Sequence, residues 1–210
     1  MLSYSFADGA ELRLLEHHHA EELFALIDRN RTFLRQWLPE WDVQKSLDDC
    51  KALIKSSLEQ LAANAGFTLG IWSEGRLAGI IGAGRLDWEN RSTNLGYWLG
   101  ESYQGKGLVT GACRVVIDYL FSELKLKRIE VRCATDNPKS CAFPTARLNQ
   151  GRRLAPSPGV RRPLHRYRGL RATRRRLEPR DGVKLLRRSP TTRRAACFQF
   201  AQGQFMACSC

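Results

Sequence analysis

The spacing of apolar residues in the middle of the chain predicts a strand followed by a helix. Within residues 94–99, Leu95, Tyr97 and Leu99 are separated by single residues, which is the period-2 pattern of a half-buried strand. Over residues 108–124 the apolar positions recur at helical spacing instead, which is typical of an amphipathic helix. The segment between them is therefore predicted to be a strand-to-helix turn.

Two glycines mark this turn, whose sequence is Gln104-Gly105-Lys106-Gly107. Glycine lets the backbone approach a ligand closely, and the start of a helix adds unpaired N–H groups and a positive dipole end that suit a phosphate. The turn lacks the GxxxxGK[ST] of a nucleotide P-loop, and Thr110 stands where the dinucleotide fingerprint requires Gly or Ala. On these residues alone, an anion site and a tight turn that binds nothing both remain open.

The first 140 residues predict an α+β fold with a mostly antiparallel central sheet flanked by helices. Ser46 and Asp49 resemble a capping box at the start of one helix. Gly96, inside the central strand, is typical of a bulge or a close backbone approach. The predicted elements are a strand at 11–16, helical segments ending at Arg29 and Leu38, a helix from Ser46, strands at 67–72, 77–87 and 94–99, the helix at 108–124 and a strand at 128–135.

Two aromatic-rich stretches near the N-terminus have competing interpretations. The run His17-His18-His19 is predicted to be a solvated loop rather than a metal site, because no carboxylate or cysteine partner is apparent. Trp37 and Trp41 are predicted to pack in the core or to cover it as aromatic side chains.

The glycine turn also resembles the coenzyme A loop of the GNAT acyltransferases, Q/R-x-x-G-x-G/A. Gln104, Gly107 and Val109 fill its three defined positions, with valine in place of the usual small residue. The surrounding residues resemble the RimJ/RimL branch, the ribosomal-protein N-acetyltransferases. The segments that carry this resemblance are Leu12–Leu15, Ala20–Phe24, Asn30-Arg31, Trp37-Leu38-Pro39, Leu95–Leu99, Tyr103–Gly107 and Arg128–Ser140.

This resemblance covers residues 1–140 and implies an acetyl-CoA-dependent N-acetyltransferase that uses no metal. The acceptor would be the N-terminal amine of a ribosomal protein or another small primary amine. The gap between the strands at 94–99 and 128–135 would hold the pantetheine arm, and Ser140 would stabilise the leaving thiolate. The residues that the resemblance places beside acetyl-CoA are Leu99, Gln104, Gly105, Lys106, Gly107, Leu108, Val109, Thr110 and Asn137.

The general base is the least defined part of this chemistry. Asn94 stands where many GNAT relatives carry glutamate, and an amide cannot accept the proton of the amine. Glu101 is the candidate base, with Asp87 and Glu89 as alternatives that would act through water. A solvated surface charge also accounts for each of these three residues.

The composition changes after Ser140. Residues 1–140 carry 17 Lys and Arg against 19 Asp and Glu, a net charge of −2, whereas residues 141–210 carry 17 against 2, a net charge of +15. Sixteen of the 17 basic residues in this tail are Arg, prolines interrupt most helical windows, and no strand-like alternation is apparent. We therefore expect a core at 1–140 and an aberrant tail at 141–210 that is either disordered or the product of a frameshift near Ser140–Cys141. The alternative is a genuine basic tail that binds RNA or another polyanion.

The remaining composition points to a reduced, cytoplasmic protein. Seven cysteines with scattered spacing suggest neither a disulfide framework nor a zinc site. No signal peptide and no membrane span are expected. Two kinds of function thus remain. One is the N-acetyltransferase. The other is a protein without turnover, which either binds coenzyme A as a remnant or binds a polyanion through its basic tail. The oligomeric state is not indicated.

Overall fold

A computed structural model describes residues 3–134, 137 and 167–173. Its helices are α1 (Ala20–Arg29), α2 (Arg31–Trp37), α3 (Leu47–Ala62) and α4 (Leu108–Ser122). Its strands are β1 (Ser3–Ala7), β2 (Ala10–Leu14), β3 (Phe67–Ser73), β4 (Arg76–Ala83), β5 (Ser92–Leu99), β6 (Arg128–Ala134) and β7 (Tyr167–Thr173). None of the helices within these ranges is both long and apolar enough to cross a bilayer.

Within the described residues, the seven strands form one sheet in the order of the chain, β1 to β7. All neighbouring strands are antiparallel except β5 and β6, which are parallel and are joined through α4. The predicted α+β fold with a mostly antiparallel sheet is therefore confirmed. The sequence prediction missed β1, a short strand that pairs with β2 through a turn at Gly9, where φ is +66°.

Apolar side chains cover both faces of the central strand β5. Leu95, Tyr97 and Leu99 belong to a cluster with α4, whereas Trp98 belongs to a second cluster with α1, α2 and α3. The prediction of a half-buried strand was wrong, because helices pack on both faces of the sheet and exclude water from each. Trp41 is buried against Trp98 with ring centroids 5.2 Å apart, so its predicted role in core packing is confirmed.

The prediction of a solvated loop holds for the exposed side chains of His17 and His18 but not for His19. Residues His17–His19 form one turn of 3-10 helix, and His19 is buried. The His19 Nδ1 accepts a hydrogen bond from the Glu16 N–H at 3.0 Å, and its ring packs against Trp72 at 5.0 Å. Burial lowers the pKa of His19, and the neighbouring His18 adds to this effect. His19 is buried because its ring packs against Trp72, a tertiary contact that the local sequence does not reveal.

One part of the basic tail is a strand, which corrects the expectation that none follows Ser140. Strand β7 pairs with β6 over the whole length of both, from Arg128–Thr173 to Ala134–Tyr167. Such pairing depends on backbone groups along a free strand edge and does not require alternating side chains. Residues 167–173 are therefore paired in the sheet, and the choice between a disordered tail and a frameshift product stays a prediction. Ser140 and the proposed frameshift point lie outside the described residues.

Candidate functional site

The parallel pair of strands at the centre of the sheet separates partway along its length. Pairing between β5 and β6 runs from Ser92–Arg128 to Leu95–Val131 and stops there. Strand β5 continues to Leu99 and β6 continues to Ala134. The second halves of the two strands therefore border a gap, which is where the resemblance placed the pantetheine arm.

The backbone of Leu99 faces this gap. Gly100 donates its N–H to Ala78 O at 2.8 Å, and Gly84 donates to Asn94 O at 2.8 Å. In an antiparallel ladder, alternate residues bond to the same neighbour, so the even-numbered residues of β5 bond to β4 and the odd-numbered ones face β6. The N–H of Leu99 consequently points away from β4, past the end of the pairing with β6.

Strand β5 reaches this point without a bulge. It pairs with β4 in continuous register from Gly79–Leu99 to Ala83–Leu95. Of the two alternatives for Gly96, the bulge is therefore wrong, and the close backbone approach stays a prediction. The irregularity lies one strand further away, where the register of β3 and β4 shifts between Ile71 and Trp72.

The turn after β5 requires its glycines. Gly105 and Gly107 both have φ of +74°, a left-handed conformation that favours glycine. A Cβ added at either position would meet no atom within 4 Å, so the space above both is open. The turn is thus an exposed concave segment of backbone, with room for a ligand beside each glycine.

Helix α4 begins with unpaired donors. Its N-cap is Gly107, which offers no side-chain cap, and the first intrahelical bond is from Gly111 N–H to Gly107 O at 3.0 Å. Among the described residues, no backbone acceptor pairs with the N–H groups of 105–110. The first turn of α4 also carries no acidic residue that would repel an anion. These amides are arranged to bind an anionic group.

Two side chains of the turn support the same interpretation. Gln104 Nε2 is buried and has no hydrogen-bond partner among the residues that the structure describes, which is costly unless a ligand supplies an acceptor. The Lys106 Nζ lies 5.8 Å from the centroid of the Tyr103 ring, so a cation stands beside the open amides. The Gln104 amide donor, the Lys106 cation and the open space beside the two glycines are suited to binding a diphosphate.

A cleft of about 450 Å³ lies next to the turn, and Glu101 lines it. Its other lining residues are Leu26, Arg29, Asn30, Ser102 and Tyr103. Within residues 3–134, 137 and 167–173, no three His, Cys, Asp or Glu side chains gather into a group that could hold a metal.

The other candidate bases lie elsewhere. The Asp87 carboxylate accepts hydrogen bonds from the N–H and the Nδ2 of Asn90 at 2.9 and 2.7 Å, and the Asn90 N–H is the main reason that the pKa of Asp87 is lowered. Asp87 pairs with Ser92 at the start of β5, about 23 Å along the strand from Leu99. Glu89 lies in the same turn. Asn94 lies over Gly84, where a Cβ would come within 2.0 Å of its Oδ1.

The structure brings most of the predicted site residues together at one end of β5. Leu99, Glu101 and the turn at 104–110 are consecutive there, and Asn137 is buried shortly after β6. Sequence reasoning did not place Asn30 beside Glu101, whose N–H donates a hydrogen bond to the Asn30 Oδ1 at 2.9 Å. No local signal could have revealed this contact, because the two residues are 71 positions apart.

Comparisons with known proteins agree with this geometry. A family model described as Acetyltransferase (GNAT) domain matches residues 10–145. The chain is 38% identical over 134 residues to the putative ribosomal N-acetyltransferase YdaF of Bacillus subtilis (strain 168), an alignment that covers 63% of this chain and 73% of YdaF. It is 28% identical over 134 residues to the ribosomal-protein-serine acetyltransferase of Escherichia coli (strain K12), covering 64% and 75% of the two chains.

A solved structure is similar as well. The microcin C7 self-immunity acetyltransferase MccE, in complex with acetyl-CoA and AMP, superposes with a TM-score of 0.69 at 25% identity, covering 80% of this chain and 94% of MccE. The family match spans more than half of the 210 residues and includes the open turn and both strands of the gap. The chain therefore belongs to the GNAT family of acetyltransferases.

Proposed function

We propose that this chain transfers an acetyl group from acetyl-CoA to a primary amine, the N-terminal amine of a ribosomal protein. The observation that carries the proposal is the row of backbone N–H groups at residues 105–110, at the start of α4, which pair with no backbone acceptor in the described part of the chain. The similarity to YdaF and to the ribosomal-protein-serine acetyltransferase supports the acceptor class. Ribosomal proteins are made in the cytoplasm, and we place the activity there.

The proposed residue roles follow the geometry. The amides from Gly105 to Thr110 and Gln104 Nε2 would bind the diphosphate of acetyl-CoA. The Leu99 N–H, which faces the gap between β5 and β6, would stabilise the oxyanion that forms when the amine attacks the thioester carbonyl. Leu108 and Val109 would act through their backbone N–H groups, since their side chains are buried.

Proton transfer is proposed for Glu101, the acidic residue that lines the cleft beside the turn. Its carboxylate would take a proton from the amine through water. Ser140 would stabilise the thiolate, and the buried Asn137 would lie beside coenzyme A. Replacement by Glu101→Gln keeps the size and removes the basic group, so we expect kcat to fall about a hundredfold with little change in acetyl-CoA affinity. An unchanged kcat would eliminate Glu101 as the base.

Thermal unfolding with and without acetyl-CoA tests cofactor binding. At a hundredfold excess of acetyl-CoA over its Kd, binding should add about 2.7 kcal/mol to the free energy of unfolding. The control is S-acetylpantetheine, which carries the thioester and lacks the diphosphate and the adenosine. A Tm increase with acetyl-CoA but not with the control supports a site for the nucleotide half, including its diphosphate, and no increase with either would contradict it.

A thiol-release assay then tests the acceptor. We expect release of coenzyme A with peptides that carry the free N-termini of ribosomal proteins and none with the same peptides after N-terminal acetylation. Turnover with a polyamine but not with the peptides would reassign the acceptor. Binding of acetyl-CoA without turnover on any amine would support the remnant function instead.

The basic tail favours a second, separate proposal. We propose that residues 1–140 form the core of the acetyltransferase unit, to whose sheet β7 adds a strand, and that the tail at 141–210, with a net charge of +15, is either a frameshift product or a polyanion-binding segment. The end of the family match at residue 145 supports this boundary. Resequencing the gene separates the alternatives, because a family-like ending in another reading frame identifies a frameshift. A genuine tail would bind RNA with an affinity that falls steeply as salt rises.

A further inference from the structure

Asn30 connects the end of helix α1 to the turn that follows β5. Its Nδ2 donates a hydrogen bond to Leu26 O at 2.8 Å, and its Oδ1 accepts one from the Glu101 N–H at 2.9 Å. Both ends of the side-chain amide are therefore engaged, which fixes its orientation. A short, rigid side chain with one donor and one acceptor bridges two elements that are distant in sequence.

The turn lies directly against this bridge. A Cβ added at Gly100 would come within 3.1 Å of both Asn30 Nδ2 and Leu26 Cδ1, so a larger residue there would push these side chains away from the turn. Gly100 N–H makes the last described bond of β5 to β4, at 2.8 Å to Ala78 O. The next backbone donor, Glu101 N–H, is the one that Asn30 holds. Asn30 therefore fixes the chain where it leaves the sheet.

The held residue lies between the two parts of the proposed acetyl-CoA site. Leu99, whose N–H faces the gap, is two residues before Glu101, and Gln104 is three residues after it. The turn is closed by short backbone bonds from Tyr103 N–H to Gly100 O at 3.0 Å and from Gln104 N–H to Glu101 O at 3.2 Å. A shift at Glu101 would therefore move the thioester and diphosphate contacts relative to each other.

We propose that Asn30 is a positioning residue for acetyl-CoA, which sets the Glu101–Gln104 turn so that the Leu99 amide and the amides of 105–110 face one molecule together. This inference rests on the proposed function. Asn30 also joins α1 to α2, since its carbonyl accepts the Leu34 N–H at 2.8 Å. The same residue thereby links the helices beside the cleft to the turn that holds the cofactor.

The test compares two substitutions of Asn30 in the full chain. Asn30→Ala removes both hydrogen bonds, and we expect the Kd and the KM for acetyl-CoA to rise about fivefold to tenfold, with the KM for the amine unchanged. Asn30→Asp keeps an oxygen that accepts the Glu101 N–H but places a second oxygen against Leu26 O. We expect Asn30→Asp to lower the Tm while it retains an acetyl-CoA affinity close to that of the wild type.

Glu22→Ala is the matched control on the same helix. The Glu22 Oε1 accepts the Leu77 N–H at 2.6 Å and so ties α1 to β4, one residue before Ala78, without a bond to the turn itself. We expect this variant to lose thermal stability and to bind acetyl-CoA as the wild type does. Calorimetry on the folded proteins at low temperature separates affinity from stability.

The outcomes that overturn the inference are distinct. Wild-type affinity in Asn30→Ala, or an equal loss of affinity in Asn30→Ala and Glu22→Ala, would show a purely structural role. An equal loss in Asn30→Ala and Asn30→Asp would show that the bond to Glu101 is not the important one. Failure of the wild-type chain to bind acetyl-CoA would overturn the proposed function and this inference with it.

Discussion

The two longest helices of the described chain begin in opposite ways. Helix α3 starts with its own side chains bonded to its free N–H groups, whereas α4 starts with a bare glycine. Both helices are of similar length, 16 and 15 residues, and both have one face in the core. The difference at their N-termini therefore does not come from their size or from their general environment.

The start of α3 is closed. The Ser46 Oγ accepts the Asp49 N–H at 3.2 Å, and the Asp49 Oδ2 accepts the N–H groups of Ser46 and Lys45 at 2.9 and 3.0 Å. This is the capping box that the sequence predicted. Asp48 adds a second negative charge in the first turn, so an anionic ligand would be repelled.

The start of α4 is held by packing instead of by a cap. Phe6, from strand β1, lies so close to Gly111 that a Cβ there would come within 2.4 Å of its ring. The helix is thus positioned from the side, while nothing in the described part of the chain covers its N-terminal amides. A helix that caps its own N-terminus leaves fewer donors for a ligand, and α4 has no such cap.

The largest loss of acetyl-CoA affinity is expected when the start of α4 is given an acidic residue like those at the start of α3. Gly107→Asp places a carboxylate beside the open amides, in the region where the diphosphate would bind. We expect the acetyl-CoA affinity to fall about a hundredfold, because two like charges would share one site. Gly107→Asn has the same size without the charge and should lose less affinity. Equal binding by the wild type and Gly107→Asp, measured by calorimetry, would contradict the assignment of the site.

A smaller effect is expected when the packing that positions α4 is disturbed. Gly111→Ala improves helix propensity but collides with Phe6, and overpacking should outweigh propensity to give a net loss of about 1 kcal/mol in the free energy of unfolding. The acetyl-CoA affinity should fall a few-fold as the first turn moves. The compensating pair Gly111→Ala with Phe6→Leu should recover both quantities. Recovery of neither would show that Phe6 does not position the helix.

The smallest effect on the site is expected at α3. Ser46→Ala removes the cap and should lower the free energy of unfolding by about 1 kcal/mol, as measured by urea denaturation, with no change in acetyl-CoA affinity. A loss of affinity would show that the two helix starts are coupled, which the comparison does not predict.

The same variant has an expected pH dependence. The hydrogen bond from the Ser46 hydroxyl is the main reason that the pKa of Asp49 lies below its ordinary value of 3.8. The stabilisation is therefore present above that pH and is lost as the pH falls through the lower, folded pKa. The stability difference between the wild type and Ser46→Ala should shrink as the pH falls below 3.8. A constant difference across this range would show that Asp49 does not contribute through its charge.

Features built from residues close together in sequence could be predicted. The capping box of α3 spans four residues, and the turn before α4 depends on the freedom of Gly105 and Gly107 to adopt positive φ. The strand at 94–99 and the helix from Leu108 follow from the period of their apolar residues. Each of these rests on contacts within about one helical turn or one strand, which a linear pattern records.

Other features were decided by the tertiary structure. The burial of β5 on both faces, the burial of His19 against Trp72, the strand at Tyr167–Thr173 and the bond between Asn30 and Glu101 all join segments that are far apart in the chain. A residue's own neighbours in sequence do not say which distant element will pack against it. The sequence by itself therefore determined the open start of α4, and only the packed fold decided which strands border the gap and which side chain holds the turn.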